Sequence, residues 1–129
     1  MIVDVESPYS AKDIRDIRRN IRYARACVRD SLLRGEVPIA SHLLYTQSGI
    51  LDDNIPEERQ LGINAGKEIV EKAGDLTAVY DDLGISTGMK FGIEHAKSHG
   101  RKVEFRSLGK DWEKLLEERE KKHSHTEIW

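Results

Sequence analysis

The sequence predicts an α/β fold: a three-layer, doubly wound domain of flavodoxin or Rossmann type, with a mainly parallel sheet of four to five strands. Three observations carry that expectation. Short β-favouring runs alternate with longer segments of helical periodicity, the order β, α, β, α, β, α, β, α that builds parallel sheets. The 129 residues suffice for one real core. The stretch Asp75–Phe105 reads as a complete strand–loop–helix–strand unit.

Within that unit, Leu76–Tyr80 is long enough for a buried strand and too short for a helix. Asp81, Asp82 and Gly84 break it, and Ser86 stands where a helix N-cap belongs. Met89, Ile93 and Ala96 follow at helical spacing, Gly100 suits the position after a helix end, and Val103 and Phe105 alternate with charged neighbours as a strand does.

Upstream, residues 1–5 form an apolar strand with Asp4 inside it, broken by Ser7-Pro8-Tyr9-Ser10. Ser10 is the expected cap of a long helix with Asp13 in its first turn. Ile14, Ile17, Ile21, Ala24, Val28 and Leu32 make its apolar stripe. Arg15, Arg18, Arg22, Arg25 and Arg29 repeat that spacing one residue later, about 100° round the helix, as a solvated edge or an anion-binding row. Gly35 ends the helix, and Val37–Ala40 resumes an extended run. A second helix starts near Pro56, with Asp53 and Asn54 as capping candidates, and runs to about Ala73 with Leu61, Ala65, Ile69 and Ala73 as its apolar face. Gly62 and Gly66 cost this helix about 1 kcal/mol each against Ala, which implies close approach by a neighbour. Residues 1–106 are read as the α/β domain, and 107–129 as a C-terminal helix and charged tail packed on it.

A net charge of −2 gives no basis for general nucleic-acid binding, and no apolar run reaches membrane-span length. The single Cys27 fits a reducing cytoplasm, where a soluble protein is expected. No phosphate loop, dinucleotide fingerprint or nucleophile elbow is present. No cofactor and no metal site are expected: His95 and His99 lack the Glu of a zinc-protease helix, and His123 and His125 read as a solvated tail.

Parallel strands bind ligands at their carboxyl ends. That rule nominates Ser7, Pro8, Tyr9, Ser10, His42, Asp81, Asp82, Gly84, Ser86, Gly88 and Met89 as ligand-binding residues. Helix-start N–H groups at Ser7–Ser10 and Ser86–Met89 suit phosphate or ribose oxygens, and Asp81 and Asp82 suit sugar hydroxyls. Capping and turn chemistry explains many of the same residues equally well.

Glu6-Ser7-Pro8-Tyr9-Ser10 resembles the entry motif of the nucleoside 2-deoxyribosyltransferase-like superfamily, specifically a small uncharacterised bacterial and phage branch. The segments Pro38–Gln47, Leu51–Arg59 and Ser86–Val103 match further motifs of that branch in the same order, over roughly residues 1–106. The resemblance implies a nucleoside- or nucleotide-like ligand and a homo-oligomer. It also implies catalysis by a helix Glu that attacks C1′ of the nucleoside, and Gly92 stands at that position. Glu94 lies about 200° round the helix and does not replace it. The expectation is therefore a nucleotide- or ribose-ligand-binding protein without the usual nucleophile. The alternatives are an N-glycosidase or nucleoside deoxyribosyltransferase using a displaced carboxylate (Asp82, Asp53 or Glu58, with His42 protonating the leaving base), or an oligomeric interaction module without a small ligand.

Overall fold

A computed structural model describes residues 1–122. Its strands are β1 (Ile2–Glu6), β2 (Val37–Ile39), β3 (Leu76–Tyr80) and β4 (Lys102–Arg106). They form one parallel sheet in the order β2-β1-β3-β4, with Val3 opposite Leu76 and Ala78 opposite Glu104. The helices are α1 (Ile14–Leu33), α2 (Ser41–Leu44), α3 (Pro56–Ala73), α4 (Thr87–Ser98) and α5 (Trp112–Lys122). The chain steps outward from β1 to β2, then crosses back to β3. This reversal makes a switch point between β1 and β3. Among the described residues no helix is long and apolar enough to cross a membrane.

Side chains alternate across a strand, so each strand serves both faces of the sheet. Val3, Val5, Leu76, Ala78 and Tyr80 pack with Tyr23 and Cys27 of α1 and Trp112 and Leu116 of α5. Each fully buried side chain of this size contributes about 1.5–3 kcal/mol. The Tyr23 and Trp112 rings meet edge to face at 5.1 Å. On the other face Val79 packs with Met89 and Ile93 of α4, but Asp4, Glu6 and Thr77 also point that way.

Several local expectations are corrected. Asp13 rather than Ser10 caps α1, accepting from the Arg15 N–H. The core face of α1 is Asn20, Tyr23, Ala24, Cys27 and Ser31, while Ile14 and Leu32 are exposed, because a tyrosine and small residues fit the sheet more closely than the isoleucine stripe. In α3 the buried face runs one residue later, through Gly66 and Val70. A Cβ on Gly66 would meet Ser41 Oγ at 2.5 Å, so this glycine lets α2 lie against α3. The α3 start has no side-chain cap, with Ile55 at the N-cap and Pro56 in the first turn. Ser86 does cap α4, its Oγ accepting from the Met89 N–H at 3.2 Å. The reading of His123 and His125 lies outside the described residues.

Candidate functional site

The chain leaves β1 through Ser7 and buried Pro8, and the Asn20 side chain holds the loop by donating to the Tyr9 carbonyl at 2.8 Å. After β2 the chain turns through α2 and returns by residues 46–55 to the start of α3. Between these segments lies a cleft of about 560 Å³. Tyr9, Ser10, Ile14 and Ile17 form one wall, and Ile50, Asp52, Asp53 and Glu58 stand on the other. Its volume lies within the range of small-molecule sites.

The far wall is held by its own acids. The Asp52 N–H donates to Glu58 Oε1 at 3.1 Å, the Asn54 N–H donates to Asp52 Oδ1 at 2.9 Å, and Arg59 lies 3.6 Å from Asp53 Oδ2. Ser10 Oγ donates to that Asp53 oxygen across the cleft at 3.2 Å. Among the described residues no lysine or arginine lines the cleft. It therefore offers apolar area from isoleucines and acceptors from carboxylates, with no cation for a phosphate.

Of the residues nominated from sequence, Tyr9, Ser10, Asp53 and Glu58 line this cleft. His42 stands behind it, its ring edge-on to Tyr9 at 6.4 Å and its Nε2 hydrogen-bonded to buried Ser7 Oγ at 2.8 Å. The residue keeps some exposed surface, yet burial of the ring pushes its pKa down to about 4, so the imidazole is neutral at pH 7.

Asp81, Asp82, Gly84, Ser86, Gly88 and Met89 sit apart from the cleft, beyond the carboxyl end of β3. Gly84 has φ +87° in a turn closed by its N–H donating to the Asp81 carbonyl. Met89 is core, and Ser86 caps α4. Asp82 ties the loop before α5 to α1. It accepts from Tyr23 and Ser107 hydroxyls at 2.6 Å each, and from the Leu108 and Gly109 N–H groups. Burial alone would raise its pKa, but these donors hold the carboxyl below the ordinary value.

Gly92 is explained by a residue outside the nominated set. A Cβ there would stand 2.5 Å from the Glu6 carboxyl carbon, so the end of Glu6 fills the space beside the helix. Burial pushes the Glu6 pKa well above its ordinary 4.5, helped by the charge of Asp4 and by the hydrogen bond between the two carboxyls. Arg101 opposes this, and Asp4 is itself raised by burial. Both carboxyls are therefore raised under α4, Glu6 the more strongly.

Glu6, Ile14, Ile17, Ile50 and Asp52 stand outside the residues nominated for a site from sequence, where Ile14 and Ile17 are expected in the apolar stripe of the first helix. An isoleucine beside Gly49 in a loop otherwise rich in Ser, Gly and Asp was the available signal for the far wall. Glu6 at the end of an apolar strand was the signal for the acid pair. Comparison with curated proteins and with solved structures gives no match. The family described as "Domain of unknown function (DUF7768)" matches residues 1–106, from the first strand through the last residue of β4. The chain belongs to that family.

Proposed function

We propose that the protein binds a nucleoside or a closely similar ribose-containing small molecule in the cleft between the start of α1 and the loop before α3. The observation that carries this reading is the composition of the walls: Tyr9, exposed Ile14 and Ile17 on one side, and exposed Ile50 with the Asp52, Asp53 and Glu58 carboxylates on the other. A flat base buries apolar area against the isoleucines, and ribose hydroxyls donate to the acids. A phosphate would meet carboxylates with no lysine or arginine among the lining residues, so the neutral nucleoside is favoured over its nucleotide. The motif resemblance at Glu6–Ser10 and Leu51–Arg59 supports the same ligand class, since both segments border the cleft.

A thermal-shift panel of nucleosides, nucleotides and free ribose, followed by chromatography for released base, tests the proposal. The expected result is stabilisation by at least one nucleoside, weaker stabilisation by its monophosphate, and no free base. Base release abolished by Glu58→Gln would establish an N-glycosidic enzyme instead. No shift with any compound would favour an interaction module.

A further inference from the structure

The opposite edge of the sheet carries a second cluster. Helix α3 ends where β3 begins, and α4 ends where β4 begins, so the last turns of both helices meet at the amino edge of the strands. Glu71 stands in the last turn of α3, His95 in the last turn of α4, and His99 at its C-cap. His95 Nε2 lies 2.8 Å from Glu71 Oε1 and His99 Nε2 lies 3.7 Å from the same oxygen. One ligating atom from each residue falls within 4.8 Å of the others. We propose that Glu71, His95 and His99 form a binding site for a zinc-class divalent cation that clips α3 to α4.

The geometry needs little adjustment. A tetrahedral ion with bonds of about 2.0–2.2 Å to nitrogen and oxygen holds its ligands roughly 3.3 Å apart. Closing the 3.7 Å gap and opening the 2.8 Å gap by a few tenths of an ångström brings the carboxylate oxygen to that spacing from each imidazole, and the three ligand atoms already lie within 4.8 Å of one another. His95 and His99 are one turn apart with ring centroids 4.3 Å apart, and both Nε2 atoms approach the same Glu71 oxygen. His99 Nδ1 lies 2.9 Å from the His95 carbonyl, which places its proton on Nδ1 and leaves Nε2 bare for a metal. Glu71 and His99 are roughly half exposed, leaving the fourth position to water.

Electrostatics points the same way. The carboxyl end of a helix carries partial negative charge, which disfavours a carboxylate and favours a cation. Glu71 is therefore poorly placed for helix stability alone and well placed beside a dication. Arg101 is the opposing group, with Nη2 at 3.3 Å from His95 Nδ1. When a metal takes Nε2, the imidazole carries its proton on Nδ1, and the guanidinium must turn toward its other acceptors, Thr77 Oγ1 and the Val70 carbonyl. That adjustment sets a modest affinity for a site built from neutral histidines and one carboxylate.

Titration of the full chain with zinc, followed by calorimetry and by thermal shift, tests the site. The visible spectrum of the cobalt form reports its coordination. The expected result is saturable one-to-one binding, a melting temperature that rises with the logarithm of zinc concentration, and a four-coordinate cobalt spectrum. His99→Ala and Glu71→Gln should each weaken binding by at least about tenfold. His123→Gln with His125→Gln should leave it unchanged. Zinc binding that survives the His95→Ala, His99→Ala double variant, or that disappears with the tail substitutions, would overturn the assignment.

Discussion

The two faces of the sheet are built from the same strands and do opposite things with them. Toward α1 and α5, β1 and β3 present Val3, Val5, Leu76, Ala78 and Tyr80, and the polar groups at the margin are fully engaged. There Tyr23 meets Asp82, and Arg106 is held by Glu36, Glu104 and the Tyr80 hydroxyl. Toward α4 stand Asp4, Glu6 and Thr77, and burial raises the pKa of both carboxyls beside a glycine. One face gains stability from burial, while the other holds acids that burial penalises. A single period-2 alternation separates them.

The largest expected effect breaks the first face. Asp82→Ala leaves the Tyr23 hydroxyl and the Leu108 and Gly109 N–H groups without their acceptor. It should lower unfolding free energy by about 2–4 kcal/mol in urea titration. Binding to the cleft should survive at temperatures where the variant is folded. A loss under 0.5 kcal/mol would mean the Asp82 contacts are not the tie described.

On the second face, Gly92→Ala places a methyl against the Glu6 carboxyl and should cost about 1–2 kcal/mol, although Ala is the better helix former. In a Glu6→Ala background the same substitution should become neutral or stabilising, giving a positive coupling in a double-mutant cycle. Equal effects in both backgrounds would show that Glu6 is not what Gly92 accommodates.

The acid pair also predicts a pH dependence of definite sign. Glu6 has a folded pKa raised above its unfolded 4.5, so the folded state binds the proton more tightly. Its contribution to stability is fully present below that unfolded value and is lost as pH rises through the folded pKa. Glu6→Gln imitates the protonated acid and keeps a donor for Asp4. The variant should be more stable than wild type at neutral pH, and that gain should vanish below the unfolded value of 4.5. A constant difference across pH would refute the raised Glu6 pKa.

The smallest effect belongs to the arginine row. Arg22 joins α1 to Glu113 and Glu120 of α5, partly exposed, so Arg22→Ala should cost about 0.5–1 kcal/mol, less at high salt. Arg25 and Arg29 are exposed, and alanine there should change stability by less than about 0.5 kcal/mol.

The contrast between the faces also explains what could be read from the sequence. Strand runs, Gly35 and Gly100 at helix ends and the Ser86 cap are local signals, and the elements they mark are present. The buried side of α1 was not legible, because Ile14 and Ile21 look more apolar than Asn20 or Ser31 until the sheet is placed against them. The cleft wall at Ile50–Asp53 depends on how α2 folds back over Gly66, a contact between residues far apart in sequence. Glu71 joins His95 and His99 only because the last turns of α3 and α4 come together at the amino ends of the strands, so the histidine spacing alone leaves the cluster incomplete.

The most direct test of the account is a crystal structure of the protein soaked with whichever nucleoside raises its melting temperature most. The base is expected between Tyr9, Ile14 and Ile50, with ribose hydroxyls on Asp52, Asp53 or Glu58, and an intact glycosidic bond. Density for the nucleoside anywhere else, such as beside Gly88 at the start of α4, would contradict it.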